Sequence, residues 1–142
     1  MITLQIKELS KRYGQKQILE KVSFSVKKQE CLAVLGPSGC GKTTLLKLIS
    51  GLQYPDEGFI YKNKELISSR DWLLAPSKRN IGMIFQHYAL WPHMTVYNNI
   101  AYGLIIRKFS KREIKEKVNH VLKLIKLEND GKKYPSQLSG GQ

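Results

Sequence analysis

The residues Gly36-Pro37-Ser38-Gly39-Cys40-Gly41-Lys42-Thr43 carry the clearest chemistry in this chain, a G-x-x-x-x-G-K-T pattern. Glycines let the backbone curl with its N–H groups turned inward and no Cβ in the way of an anion. A helix starting there adds unpaired N–H groups and the positive end of its dipole. Lys42 is then placed to reach β- and γ-phosphates, and the Thr43 hydroxyl to take a Mg²⁺. The nucleotide-binding candidates run from Gly36, Pro37, Ser38, Gly39, Cys40 and Gly41 to Lys42, Thr43 and Thr44. The alternative is a glycine-rich strand-to-helix turn that holds no ligand. The flanks argue against it, because Cys31–Leu35 reads as a buried strand in front and Thr44 to about Ser50 as a helix behind.

Around this loop the elements follow from pattern. Ile2, Leu4 and Ile6 alternate with polar residues, and so does Val22 to Val26. Both predict half-buried strands of an antiparallel layer. Ser10 to Gln15 reads as a turn between them. Gly51 suits the helix C-cap, Pro55 to Gly58 is turn chemistry, and Phe59 to Tyr61 is a short strand. Ser68 to Asn80 reads as a polar loop, and Ile81 to Phe85 as an apolar strand ending at Gln86. Thr95 can cap a helix from Val96 to about Leu104. Ser110-Lys111-Arg112-Glu113 is a capping box, and Ile114, Val118, Val121, Leu122 and Ile125 follow at helical spacing. Leu138-Ser139-Gly140-Gly141-Gln142 closes the chain.

The bulk numbers set bounds. The 142 residues and 42% hydrophobic content fit one globular domain or part of one. A net charge of +13 is compatible with nucleic acid, an anionic membrane surface or anionic ligands. Its densest stretch, Arg107 to Lys133, reads as the solvated face of a helix. Cys31 and Cys40 form no disulfide or metal pattern, which suits a reducing compartment. His87 and His93 sit on an irregular stretch without Cys or carboxylate partners, so a metal site there is rejected. The start of the chain lacks the apolar core of a signal peptide, and no apolar run approaches a membrane span. A cytoplasmic location is expected, with any membrane link made through a partner.

A phosphate loop, a strand ending in Gln86, a helical stretch and LSGGQ, in that order, resemble the ATP-binding subunit of ABC transporters along essentially the whole chain. The resemblance implies an α/β fold: a P-loop NTPase core, an antiparallel β subdomain and the start of an α-helical signature subdomain. The division would fall at about 1–86 and 87–142. Tyr13 is then the aromatic that stacks on adenine; packing on the sheet is the alternative. Gln86 completes the Mg²⁺ shell beside Thr43 and approaches the attacking water, so Lys42 and Gln86 are the catalytic candidates. Leu138, Ser139, Gly140, Gly141 and Gln142 would cradle ATP held by a second subunit, paired head to tail, and Ser139 would also N-cap a following helix.

Phe85 to Leu104 is similar to a narrower group, the importer subunits for sugars, polyamines, sulfate and ferric iron. In that group this region receives a helix of the membrane permease, which assigns Tyr88 and Trp91 to the contact; a local core plug is the alternative for Trp91. A solute-binding protein is then an indirect partner. The family's Walker B aspartate, glutamate base and switch histidine would follow the signature. A chain ending at Gln142 is therefore expected to bind ATP with Mg²⁺ but to hydrolyse it poorly. It is also expected to leave apolar strands exposed. Two other readings stay open: a soluble ABC ATPase acting on nucleic acid or ribosomes, and a fragment with no independent activity.

Overall fold

In a computed structural model, which describes residues 2–85 and 89–142, the chain divides into two compact units, Met1–Ile84 and Phe85–Gln142. The first is built on β1 (Ile2–Tyr13) and β2 (Lys16–Lys27), joined by Gly14 and Gln15. β3 (Glu57–Lys62) and β4 (Glu65–Ser68) complete an antiparallel sheet of order β2-β1-β3-β4.

The strands run further than pattern predicts. Ser10 to Tyr13, expected as turn, continue β1, and only Gly14-Gln15 turn. The extension depends on irregular pairing. Register shifts flank Leu9, and Glu8 (φ 48°) and Lys21 (φ 44°) take positive φ. These bulges break the strict alternation that sequence reading relies on, while burying Leu9 and Ser10.

One face of the sheet packs on α1 (Lys42–Ser50). Ile6, Leu9, Leu19, Ile60 and Ile67 from the strands meet Leu45 and Leu48, all buried. Gly51 ends α1 in the left-handed conformation (φ 82°), its N–H bonded to the Leu48 carbonyl, as a glycine C-cap should.

The polar loop expected from Ser68 to Asn80 is more ordered. Ser68 bridges Leu73, Pro76–Lys78 make a 3₁₀ turn, and Arg79 is driven into the interior at 1% exposure. Its guanidinium donates to the carbonyls of Leu74 (2.7 Å), Ile67 (2.7 Å), Leu48 (3.2 Å) and Ile49 (2.9 Å), and to the Ser68 hydroxyl (2.7 Å). Burial lowers its pKa, yet an arginine stays protonated. The cation sits at the negative end of the α1 dipole, which helps to hold it without a carboxylate.

Two expected strands are corrected. Cys31–Leu35 and Ile81–Phe85 form no ladder among the described residues. Cys31, expected in a buried strand, is exposed, as are Leu32, Val34 and Leu35; Leu35 is 89% exposed and Ile84 97%. A parallel strand needs a neighbour to bond and layers on both faces, and no described segment supplies either.

In the second unit, α2 (Val96–Ile106) and α3 (Lys111–Leu124) pack through Val96, Ala101, Val118 and Leu122, with Leu127 beneath. The Thr95 hydroxyl accepts from the Asn98 N–H, and Ser110 and Glu113 close the capping box. The hydrogen bonds from the Ser110 hydroxyl and backbone N–H hold the Glu113 carboxyl below its usual range.

Candidate functional site

The phosphate loop is positioned by what lies beneath it. Gly41 (φ 101°) is buried at the head of α1, where a Cβ would come within 2.9 Å of Leu19 Cδ2 and 3.0 Å of the Ile18 carbonyl on β2. Only glycine fits both the backbone and the space. Over Gly39 (φ 80°) a Cβ would meet nothing, and glycine is favoured there by the backbone alone. Residues 31 to 40 are all exposed, and Thr43, on the first turn of α1, presents its side chain outward.

Lys42 folds back over this loop. Its ammonium donates to the carbonyls of Gly36 and Pro37, both at 2.7 Å, and lies 3.5 Å from Cys40 Sγ. A full positive charge thus stands against two loop carbonyls at the start of a helix. The arrangement suits a polyphosphate, and the exposed Thr43 hydroxyl beside it suits an oxygen-seeking divalent cation such as Mg²⁺.

Tyr13 ends β1 and is 45% exposed. Its hydroxyl donates to Gln53 Oε1 at 2.6 Å, and the Lys11 ammonium lies over its ring, 6.0 Å from the centroid. The Tyr13 ring is therefore available rather than buried in the sheet. Gln53, two residues past the α1 cap, was not singled out by sequence. Its spacing carries no signal, because the contact joins residues far apart in the chain.

In the second unit the closing stretch is anchored from both sides. The Val96 and Tyr97 N–H groups at the head of α2 donate to the carbonyls of Lys133 (2.8 Å) and Gly131 (2.9 Å). Pro135–Gln137 then make a 3₁₀ turn, and Leu138 packs against the core of this unit. Ser139, Gly140, Gly141 and Gln142 are exposed. Gln142 Oε1 accepts from the Ser139 N–H at 2.9 Å, and the Gln142 N–H reaches the Ser139 carbonyl at 2.9 Å. This is half of a capping box, S-x-x-Q, and it makes Ser139 the start of a helical turn. With Leu90 and Pro135 these residues line a pocket of about 390 Å³.

Trp91 is 40% exposed and packs at a tilt on Tyr102 of α2, with ring centroids 4.3 Å apart and planes at 50°. Asn99 pins it by accepting from the Trp91 N–H (2.9 Å) and donating to the carbonyls of Trp91, Met94 and Thr95. Trp91 is thus both a local plug and a partly open surface. Gln86, expected to approach the phosphates, and Tyr88, expected at the permease contact, lie outside the described residues, as does His87.

Comparison with known proteins agrees on one family. The family described as "ABC transporter" matches residues 19–142. The sulfate/thiosulfate import ATP-binding protein CysA of Pectobacterium atrosepticum is 44% identical over 145 residues, covering 99% of this chain and 43% of that protein. The spermidine/putrescine import ATP-binding protein PotA of Thermotoga maritima is 47% identical over 137 residues, covering 96% of this chain and 36% of its own. The chain thus spans 36% to 43% of the length of these relatives. Among solved structures, the dimeric bacterial ABC transporter cassette MJ0796 superimposes with a TM-score of 0.83 at 31% identity, over 98% of this chain and 64% of that one. The post-hydrolysis dimer of the same cassette, bound to ADP and Pi, gives a TM-score of 0.82 at 31% identity over the same shares.

Proposed function

Because this chain belongs to the ABC transporter family, with the α/β fold of its ATP-binding cassettes, we propose that it is the nucleotide-binding front part of an importer's ATPase subunit. The observation that carries the proposal is the Lys42 ammonium set over an exposed loop seated by Gly41, a position where only glycine fits.

In this reading the amides from Gly39 to Thr44 and the Lys42 charge hold the β- and γ-phosphates of ATP. Tyr13 stacks on the adenine. The Thr43 hydroxyl and Gln86 would hold Mg²⁺, which supplies charge neutralisation to the phosphates. Ser139, Gly140 and Gly141 offer amides and a hydroxyl to the ATP of a second, head-to-tail subunit, with Leu138 as their anchor and Gln142 shaping the turn. Lys42 and Gln86 are the residues of this chain assigned to catalysis. Hydrolysis and transport belong to the whole protein.

The partners are a second ATP-binding subunit and a membrane permease, which Tyr88 and Trp91 would meet, and at one remove a solute-binding protein. No described helix is long and apolar enough to cross a membrane. The permease would therefore hold the protein to the cytoplasmic face. Sulfate and polyamines, named for the two relatives, are the solute classes to try first.

Calorimetric titration with ATP in the presence of Mg²⁺ tests the site. The chain should bind, and Lys42→Ala should weaken binding at least tenfold, about 1.4 kcal/mol or more. Equal binding by both, or binding by neither, overturns the proposal.

A further inference from the structure

The Tyr13 ring is held from two sides while staying open to solvent. Its hydroxyl is tied to Gln53 at 2.6 Å. The Lys11 ammonium over the ring is itself fixed by Asp56 at 2.9 Å. Gln53 is half-buried and lies just past the cap of α1, so this one bond ties the turn end of the β1–β2 hairpin to the far end of the phosphate-loop helix. A tyrosine that merely covered the sheet would need neither partner, because its hydroxyl could point to water.

A cation over one face leaves the opposite face for a flat partner. Stacking depends on ring offset and tilt, and a ring free to turn must be ordered by whatever stacks on it. A phenol pinned at its oxygen is ordered beforehand. We propose that Gln53 is a positioning residue for base recognition: it locks the Tyr13 ring in the orientation that receives the adenine of ATP. The inference rests on the adenine-stacking reading of Tyr13, and its test separates the two.

The full chain is titrated with ATP and, separately, with inorganic triphosphate, which has phosphates but no base. Gln53→Leu and Tyr13→Phe should each weaken ATP binding by about 3- to 10-fold, with the double variant no worse than either, since all three break the same bond. Tyr13→Ala should weaken it by about 10- to 100-fold. Inorganic triphosphate should bind all variants alike, a result that general loosening of the fold would not give. If Tyr13→Ala leaves ATP affinity unchanged, the adenine reading of Tyr13 fails and the inference falls with it. If Tyr13→Ala weakens ATP binding but Gln53→Leu and Tyr13→Phe do not, or if Gln53→Leu weakens triphosphate equally, the positioning role alone is overturned.

Discussion

Arg79→Met is the most informative single perturbation of the first unit. The guanidinium donates to the carbonyls of Leu48, Ile49, Ile67 and Leu74 and to the Ser68 hydroxyl from a site 1% exposed. Methionine fills much of the volume but donates nothing. Charge-assisted bonds are worth about 1.5–3 kcal/mol each, so the gross loss is of order 10 kcal/mol. Against it stands the several kcal/mol that burying a guanidinium costs the native protein. The acceptors do not move out to water when the donor goes, since Leu48 is at 0% exposure and Ser68 at 0%. The net expectation is a loss of about 3–5 kcal/mol, as when one partner of a buried polar network is removed. Urea unfolding followed by Trp72 fluorescence in a Trp91→Phe background reports on the first unit, because Trp72 borders β4 through the Ser69–Trp72 bond. With an m value of about 1.5 kcal/mol/M the midpoint should fall by about 2–3 M. A shift corresponding to less than about 1 kcal/mol would refute the reasoning, by showing that desolvation of the guanidinium cancels its bonds.

Two further expectations concern neighbours of this network. Gly51→Ala places a Cβ 2.3 Å from Arg79 Nε at a φ of 82°, and should cost about 2–4 kcal/mol by the same urea assay. Combined with Arg79→Met its effect should be well short of additive, because the residue it strikes is gone. Asp56 responds to pH: burial raises its pKa, but the hydrogen bonds from the Lys11 ammonium and the Arg12 N–H, with the charges of both residues, outweigh that and lower it. A carboxylate with a lowered folded-state pKa stabilises above its unfolded value of about 3.9, and that contribution is lost as pH falls through the folded value. Asp56→Asn should therefore flatten the acid limb of a plot of urea midpoint against pH, and an unchanged limb would count against the bond.

What sequence revealed was what is decided locally. Thr95, Ser110 and Gly51 cap their helices where expected, because a cap is set by a few adjacent residues. The glycine turn into α1 was legible for the same reason. The far end of β1 was not, since bulges at Glu8 and Lys21 interrupt the alternation. Arg79 lay in a stretch that reads as polar surface, and only tertiary carbonyls make its burial tolerable. Gln53 gave no signal at all. Cys31–Leu35 and Ile81–Phe85 show the converse: pattern states what a segment is able to become, and pairing depends on a neighbour that no local pattern contains.

In mechanical terms α1 is a beam clamped at its base. Arg79 grips the carbonyls of Leu48 and Ile49, and Gly51 closes the last turn against that same side chain. At the other end, past the seat of Gly41 on β2, the loop stands in solvent, tied chiefly by the Lys42 ammonium to its own carbonyls. A beam fixed this way leaves its least supported part in residues 36–40, just ahead of Lys42 and Thr43. On the proposed reading of this loop, an anion would be admitted and released there without disturbing the packing that anchors the base.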